Sequence, residues 1–530
     1  MRFISAGLIQ LWLSALTVLP QDSVPPVLET YKQAPSLMPF SFSPSAVTVT
    51  PSGASRQVNV NASGGNIIGD AANEPSLCMD PTNPNRLAVG WRQFNTVTND
   101  FRQGGFAYST NGGATWSAEG LLQTNIFRSD PVLAADAAGN FYYLSLQPSP
   151  FRCDLWKSTT GGARWANVGL AFGGDKAWIA IDTTSSPGRG NIYEAWSPAS
   201  NTTSNRIFSR STDGGLTWST PISIPQTPYW GTIEVGPRGE LFAVGWNGSA
   251  FFVNRSRNAT NRAAAMSFDL TRQVNLGGSI VLGDPNSVNP DGLIGQAWIA
   301  ADRSATSTRG NVYVLCSVVD GTLSNPADVM FIRSTDGGST WSAPRRINDD
   351  PRNRNAWHWF GTLAVAPNGR IDACWYDTRG QTNNFSALYY SKSTDGGLTW
   401  STNRAVSPPF NHTLGYPVQR KIGDYIGMIS LTNATCIAYT ATFNGEQDVY
   451  FRRIQPPVIT SIVKAGSRVT LTWSAVAGHT YCVQFKNVLD ASWANPSTVG
   501  CVTSAGSTAS IQDLSVAGVS RRFYRVVEQP

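Results

Sequence analysis

Ser211-Thr212-Asp213-Gly214-Gly215-Leu216-Thr217-Trp218 decides the fold, because the same phrase stands again from Ser334 to Trp341 and from Ser393 to Trp400. Two looser copies run from Ser109 to Trp116, with Asn111 in the Asp place, and from Ser158 to Trp165, with Thr160 there. Each copy has the chemistry of one tight turn. The Asp side chain accepts from backbone N–H groups of the turn it begins, the paired glycines take positive φ, and the Trp offers a broad apolar face. Repetition of such a turn implies repeated hairpins.

The first residues of the five copies are 49, 53, 123 and 59 positions apart. Repeats of this size indicate stacked supersecondary units, and the long gap is about two units, so one copy has decayed or been lost. A weaker repeat fills the gap. Each unit opens with an apolar strand, turns at an Asp/Gly/Asn-rich corner and returns through an aromatic strand, with openings at Glu74, Asp130, Asp175, Trp230, Gln296, Gly361 and Asp424. The best internal match pairs Ala177-Trp178-Ile179-Ala180 with Ala297-Trp298-Ile299-Ala300. Four short antiparallel strands per unit read as a β-propeller, whose closure hides the sheet edges. Seven blades are expected, with six as the alternative if one opening is only an insertion. The seventh unit ends near Ile454 without a fourth strand, and Gln57-Val58-Asn59-Val60 would supply it from the other end of the chain.

The 530 residues include 49 Gly, 32 Pro and 18 Trp, and only 14% are charged, which fits an all-β chain of more than one small domain. No region keeps the 3.6-residue apolar period of a long helix. A formal charge of +6, with the basic residues scattered, gives no support for nucleic-acid binding. Met1-Arg2 and the apolar run from Phe3 to Leu19 have the layout of a secretory signal peptide over 1–20. No second apolar stretch follows, so no stable membrane span is expected once it is removed. A Pro/Ser-rich linker covers 21–56, the propeller 57–454, and strand-like runs separated by turns fill 455–530. The last segment looks like a fibronectin type III β-sandwich. Export is expected, to the medium, the periplasm or the cell surface. Among seven cysteines, Cys482 and Cys501 are the expected disulfide, while Cys78, Cys153, Cys316, Cys374 and Cys436 read as buried thiols. No loop, Asp349-Asp350 included, has a recognisable metal-ligand spacing, and no cofactor is expected.

Ser-x-Asp-x-Gly-x-Thr-Trp is the Asp box, and through most of 57–454 the chain resembles the secreted bacterial sialidase-like, Asp-box (BNR repeat) propellers. In that family the boxes lie away from the active site. The opposite face collects the starts of the inner strands and the ends of the second strands, among them Glu74, Lys176, Gln296 and Asp424. The resemblance implies an arginine clamp for a sugar carboxylate, here drawn from Arg92, Arg128, Arg379 and Arg420. It also implies a tyrosine nucleophile, Tyr425 or Tyr376, and an acid/base, Asp130 or Asp175. Asp377 belongs to the polar quartet Tyr376-Asp377-Thr378-Arg379 that ends an apolar strand, and Trp230 and Trp246 are candidates for stacking on sugar rings. His358, between Trp357 and Trp359, reads as a satisfied loop residue.

The implied activity is that of an exo-α-sialidase-type glycoside hydrolase on terminal acidic sugars of glycoconjugates, acting as a monomer. The chain departs from the family at two places. Glu74-Pro75-Ser76-Leu77 stands where the family has Phe/Tyr-Arg-Ile-Pro, and Trp230-Gly231-Thr232 with Trp246-Asn247 stands where it has its activating Glu and following Arg. The alternative is a non-catalytic propeller that binds glycan or protein at the cell surface.

Overall fold

The computed structural model describes residues 41–42, 55–148, 150–282, 287–321, 326–352, 355–381, 384–475, 480–489, 493, 497–506 and 508–528. The expected signal segment 1–20 and most of 21–56 lie outside the described residues. The chain is all-β, and its one helical element among the described residues is the short turn Asn258–Thr260.

From residue 71 to 454, seven small antiparallel sheets follow one another along the described chain. Their first strands are Ala71–Met79, Ser129–Ala135, Trp178–Ile181, Ile233–Val235, Trp298–Ala301, His358–Val365 and Gly427–Ser430. Each packs against the next in this order, and Gly427–Ser430 packs against Ala71–Met79, so the series closes on itself. The seventh sheet takes its outer strand from the other end of the chain. Arg56–Gln57 pairs with Phe451 and Tyr450, and the Val58 N–H donates to the Val449 carbonyl at 2.8 Å.

The box explains how neighbouring sheets join. Thr217 N–H donates to Asp213 Oδ1 at 2.9 Å and Gly215 N–H to Ser211 Oγ at 2.8 Å, which holds Gly214 and Gly215 at φ of 76° and 93°. A Cβ on Gly215 would stand 2.3 Å from Leu155 Cδ2, so the turn is pressed onto the sheet before it. Box tryptophans do the same, Trp116 edge-on to Phe451 at 5.2 Å and Trp400 to Phe331 at 5.1 Å.

The long gap holds a degenerate box. Ser256 Oγ donates to Asn258 Oδ1 at 3.0 Å, and Ser267 N–H donates to the same oxygen at 3.0 Å, as Thr217 does to Asp213. Asn258 thus replaces the Asp, and a longer loop separates it from its turn partner. The following Ala259 carbonyl accepts from Tyr193 Oη and Arg210 Nη1 of the preceding sheet.

Beyond the seventh sheet, Ile459–Ala465, Arg468–Ser474 and Thr508–Asp513 form one three-stranded sheet, and Ser497–Thr503, Thr480–Lys486 and Phe523–Glu528 form another. Leu471, Trp473, Tyr481 and Val483 from both sheets share one apolar cluster. Cys482 and Cys501 face each other on adjacent strands and form a disulfide; the other five cysteines are buried and free.

Candidate functional site

The first strands begin with an irregularity that repeats. Register shifts fall between Asn73 and Ser76, Ser129 and Val132, and Trp359 and Thr362. Glu74, Asp130 and Phe360 inside them are left-handed, with φ of 53°, 44° and 57°. Lys176 and Trp230 hold the same conformation ahead of the third and fourth first strands. Non-glycine residues there cost about 1–3 kcal/mol each, so the packing around them must impose the conformation. Each is followed by Pro, Ala or Gly, namely Pro75, Pro131, Ala177, Gly231 and Gly361.

This kink brings charged side chains from distant strands together where the series of first strands closes. Lys176 Nζ lies 2.7 Å from Asp130 Oδ1, 2.8 Å from Asp424 Oδ2 and 3.5 Å from Glu74 Oε1. Lys421 Nζ lies 2.7 Å from Asp424 Oδ2 and 3.8 Å from Glu74 Oε1. Arg92 Nε lies 3.3 Å from Glu74 Oε2 and donates to Asn73 Oδ1 at 2.8 Å. Three carboxyl groups therefore face three cations, and none of the six side chains is more than 2% exposed. Burial pushes the Glu74 carboxyl well up, against the pull of Arg92 and Lys176. At Asp424 the penalty of burial is outweighed by the Lys176 and Lys421 ammonium groups, which hold it well below the usual carboxylate range.

Tyr425 lies beside this cluster. Its ring meets Trp178 edge-on at 5.6 Å with Lys176 Nζ 5.8 Å from its centre, and its hydroxyl donates to the Pro131 carbonyl at 3.0 Å. Burial raises the phenol well above its ordinary value. Asp175, next to Lys176, is wholly buried, and its carbonyl accepts from Ser197 N–H at 2.9 Å. Residues further along the same first strands, including Leu77, Leu133, Ile179 and Met428, line a cavity of about 360 Å³. Glu234 and Arg303 meet across it at 3.5 Å.

The other expected site residues lie elsewhere. Tyr376 is a core residue: its hydroxyl donates to the Thr440 carbonyl at 2.5 Å and accepts from Thr440 N–H at 2.9 Å, leaving no free phenol to attack a sugar. Asp377 and Arg379 join a second cluster between the fifth and sixth sheets. Arg379 Nε lies 2.7 Å from Asp377 Oδ2 and Nη1 lies 2.6 Å from Asp349 Oδ1. His358 is its hub, a correction to the loop reading, since it opens the strand His358–Val365 and is buried. Its Nδ1 lies 3.4 Å from Asp328 Oδ1, and its Nε2 lies 3.1 Å from Asp350 Oδ1 and 3.6 Å from Asp377 Oδ2. Burial disfavours the imidazolium, yet Asp328 and Asp350 raise its pKa to about 9.

The expected clamp does not assemble, because its arginines answer to different carboxylates. Arg92 faces Glu74, Arg128 Nη2 lies 2.5 Å from Asp154 Oδ2, Arg379 is held as above, and exposed Arg420 Nη2 lies 3.0 Å from Asp291 Oδ1. Trp230 is buried against Tyr229 at 4.9 Å, and half-buried Trp246 packs edge-on to Phe251 at 4.9 Å. Lys421 is the cluster member that sequence reasoning missed. Its place three residues before Asp424, where the two ammonium and carboxylate groups meet, was the available signal.

No family model matches the chain, and no curated protein matches it in sequence. Solved structures similar to it include a protein of unknown function from Dyadobacter fermentans, with 13% identity over 76% of this chain and 97% of that one, TM-score 0.42. A fungal alcohol oxidase in complex with copper matches at 11% identity over 88% and 91%, TM-score 0.43. The endosialidase of phage phi92 matches at 11% over 78% and 70%, TM-score 0.43. Likeness at this level carries no reaction across.

Proposed function

We propose that the chain is an exported Asp-box β-propeller of seven blades with a C-terminal β-sandwich, and that it binds glycan or protein without hydrolysing it. The closed series of seven first strands supports the blade count, and the shared apolar cluster of the last two sheets supports the sandwich. One observation carries the functional reading. At the axis, Arg92, Lys176 and Lys421 already face carboxyl groups of the protein, and the Tyr425 hydroxyl is held by Pro131. A substrate carboxylate entering there would have to displace buried ion pairs. Glycan-array binding by the full secreted chain is the test. Binding that persists in Tyr425→Phe and Asp130→Asn is expected; binding that disappears in both, with wild-type release of sugar from the bound glycan, would overturn the reading.

Hydrolysis of terminal acidic sugars is the second reading, and one observation favours it. Tyr425, Asp130, Arg92 and Glu74, the residue types that sialidase-like chemistry requires, do converge on the axis.

A further inference from the structure

The cavity of about 360 Å³ along the first strands is a well with an aromatic floor. Trp178 and Trp298 both line it and meet edge-on at 5.0 Å, and Trp178 meets Tyr425 in the same way at 5.6 Å. These rings stand between the well and the ion pairs around Lys176. The mouth is at the other end. Exposed Pro81 and Arg303 also line the well, and they follow the ends of the first strands Ala71–Met79 and Trp298–Ala301, on the face where the third strands run into the box turns. Leu133, Ile181 and Met428 supply apolar wall, and the short side chains of half-buried Ala134 and Ala180 leave the space open. Apolar walls with a few convergent polar groups around such a volume are the features of a small-molecule site.

Two of the lining residues are charged, Glu234 and Arg303. Arg303 Nη2 lies 3.5 Å from Glu234 Oε1, well beyond the about 2.7–2.9 Å of a charge-assisted hydrogen bond. Each is steadied from its own side instead. Glu234 Oε1 accepts from Val235 N–H at 2.9 Å, and Arg303 Nη1 donates to Thr183 Oγ1 at 3.3 Å. Among the described residues no hydrogen bond reaches Glu234 Oε2. Side-chain exposures of 27% for Glu234 and 41% for Arg303 leave both within reach of a ligand. Burial raises the Glu234 carboxyl against the pull of Arg303, so a second cation beside it would be favourable. The two charges cancel. A ligand with a single charge would meet one of the pair and oppose the other, whereas a ligand carrying both charges complements the two together.

We propose that the well binds a free amino acid with a large apolar side chain, its carboxylate on Arg303, its ammonium on Glu234 and its side chain against Trp178 and Trp298. The well opens on the box face, so the proposal is independent of whether the chain binds glycan or protein, or hydrolyses anything, elsewhere.

Calorimetric titration of the full chain, with thermal unfolding in the presence of the same ligands, tests it. Phenylalanine at millimolar concentration is expected to bind and to raise the Tm, and glycine, which lacks the side chain, to do neither. Phenethylamine lacks the carboxylate and 3-phenylpropionate lacks the ammonium, and each is expected to bind about tenfold more weakly or worse. In Glu234→Gln, phenylalanine is expected to fall to the affinity of 3-phenylpropionate. Arg303→Gln changes an exposed side chain and is expected to fold with an unchanged ligand-free Tm while losing about tenfold or more in affinity for phenylalanine. No binding of phenylalanine, or wild-type affinity in Arg303→Gln, would overturn the site. Equal affinity for phenylalanine and either one-charge analogue would overturn the amino-acid assignment.

Discussion

At the axis, Glu74, Asp130 and Asp424 meet Arg92, Lys176 and Lys421 with almost no side chain exposed, whereas in the cleft beside the C-terminal strands Arg370, Arg404 and exposed Lys392 stand around an open volume. Both places gather charge from distant parts of the chain. Matched and dry, the axial charges hold the first strands of several sheets to one centre. Beside open space, Arg370 pairs with Asp372 and Arg404 with Glu528. Charge is paired at both places, so charge density alone does not locate a binding site.

The comparison breaks most readily at Lys176. Lys176→Met leaves Asp130 and Asp424 short of a buried cation and is expected to destabilise the protein by about 3–5 kcal/mol in urea unfolding. A loss under about 1 kcal/mol, within the range of exposed pairs, would show that the axial charges are not coupled.

The cluster around His358 sharpens the comparison through pH. The folded pKa of about 9 lies above the unfolded value of about 6.5. The stabilisation is therefore fully present below pH 6.5 and is lost as pH rises through 9, on the order of 3 kcal/mol in all. Burial raises Glu119 and Glu194 to about 8 and Asp448 to about 7, and these also favour the folded state less as pH rises. Subtracting the pH profile of His358→Asn isolates the histidine, and parallel profiles for the two proteins would remove it from the account.

Two smaller effects follow. Tyr425→Phe leaves the buried Pro131 carbonyl without its donor and is expected to cost about 1–2 kcal/mol, without effect on glycan binding. Asp395→Ala removes the acceptor for Leu398 and Thr399 N–H in a solvent-facing box and is expected to cost about 1 kcal/mol. Chemical denaturation resolves both, and a reversed order would place more of the stability in the turns than at the axis.

Much of the scaffold is legible in the sequence because glycine pairs and box aspartates act locally. Gly214-Gly215 and Asp213 need only their own turn to declare it. The degenerate copy was harder, since Asn258 and Ser267 are separated by an insertion that hides their hydrogen bond. The site was legible only in part. Asp130, Arg92 and Tyr425 do gather at the axis, because each lies at a strand start or strand end on one face. Position on that face could not tell which side chains turn inward, and Tyr376 and Arg379 turn instead to Thr440 and to Asp377 and Asp349. Nor could it show how charges pair. Lys176 reaches Asp424, 248 positions further along the sequence, a partnership that only the closed series of sheets creates.

The claim that the axis is closed to chemistry meets its most direct test in the release of a fluorescent aglycone from a panel of sialosides and uronosides by the full chain. No release above the uncatalysed rate is expected, with Tyr425→Phe indistinguishable from wild type. Release by the wild type that is abolished by Tyr425→Phe would contradict it, because the phenol would then have to leave Pro131 and act at the axis.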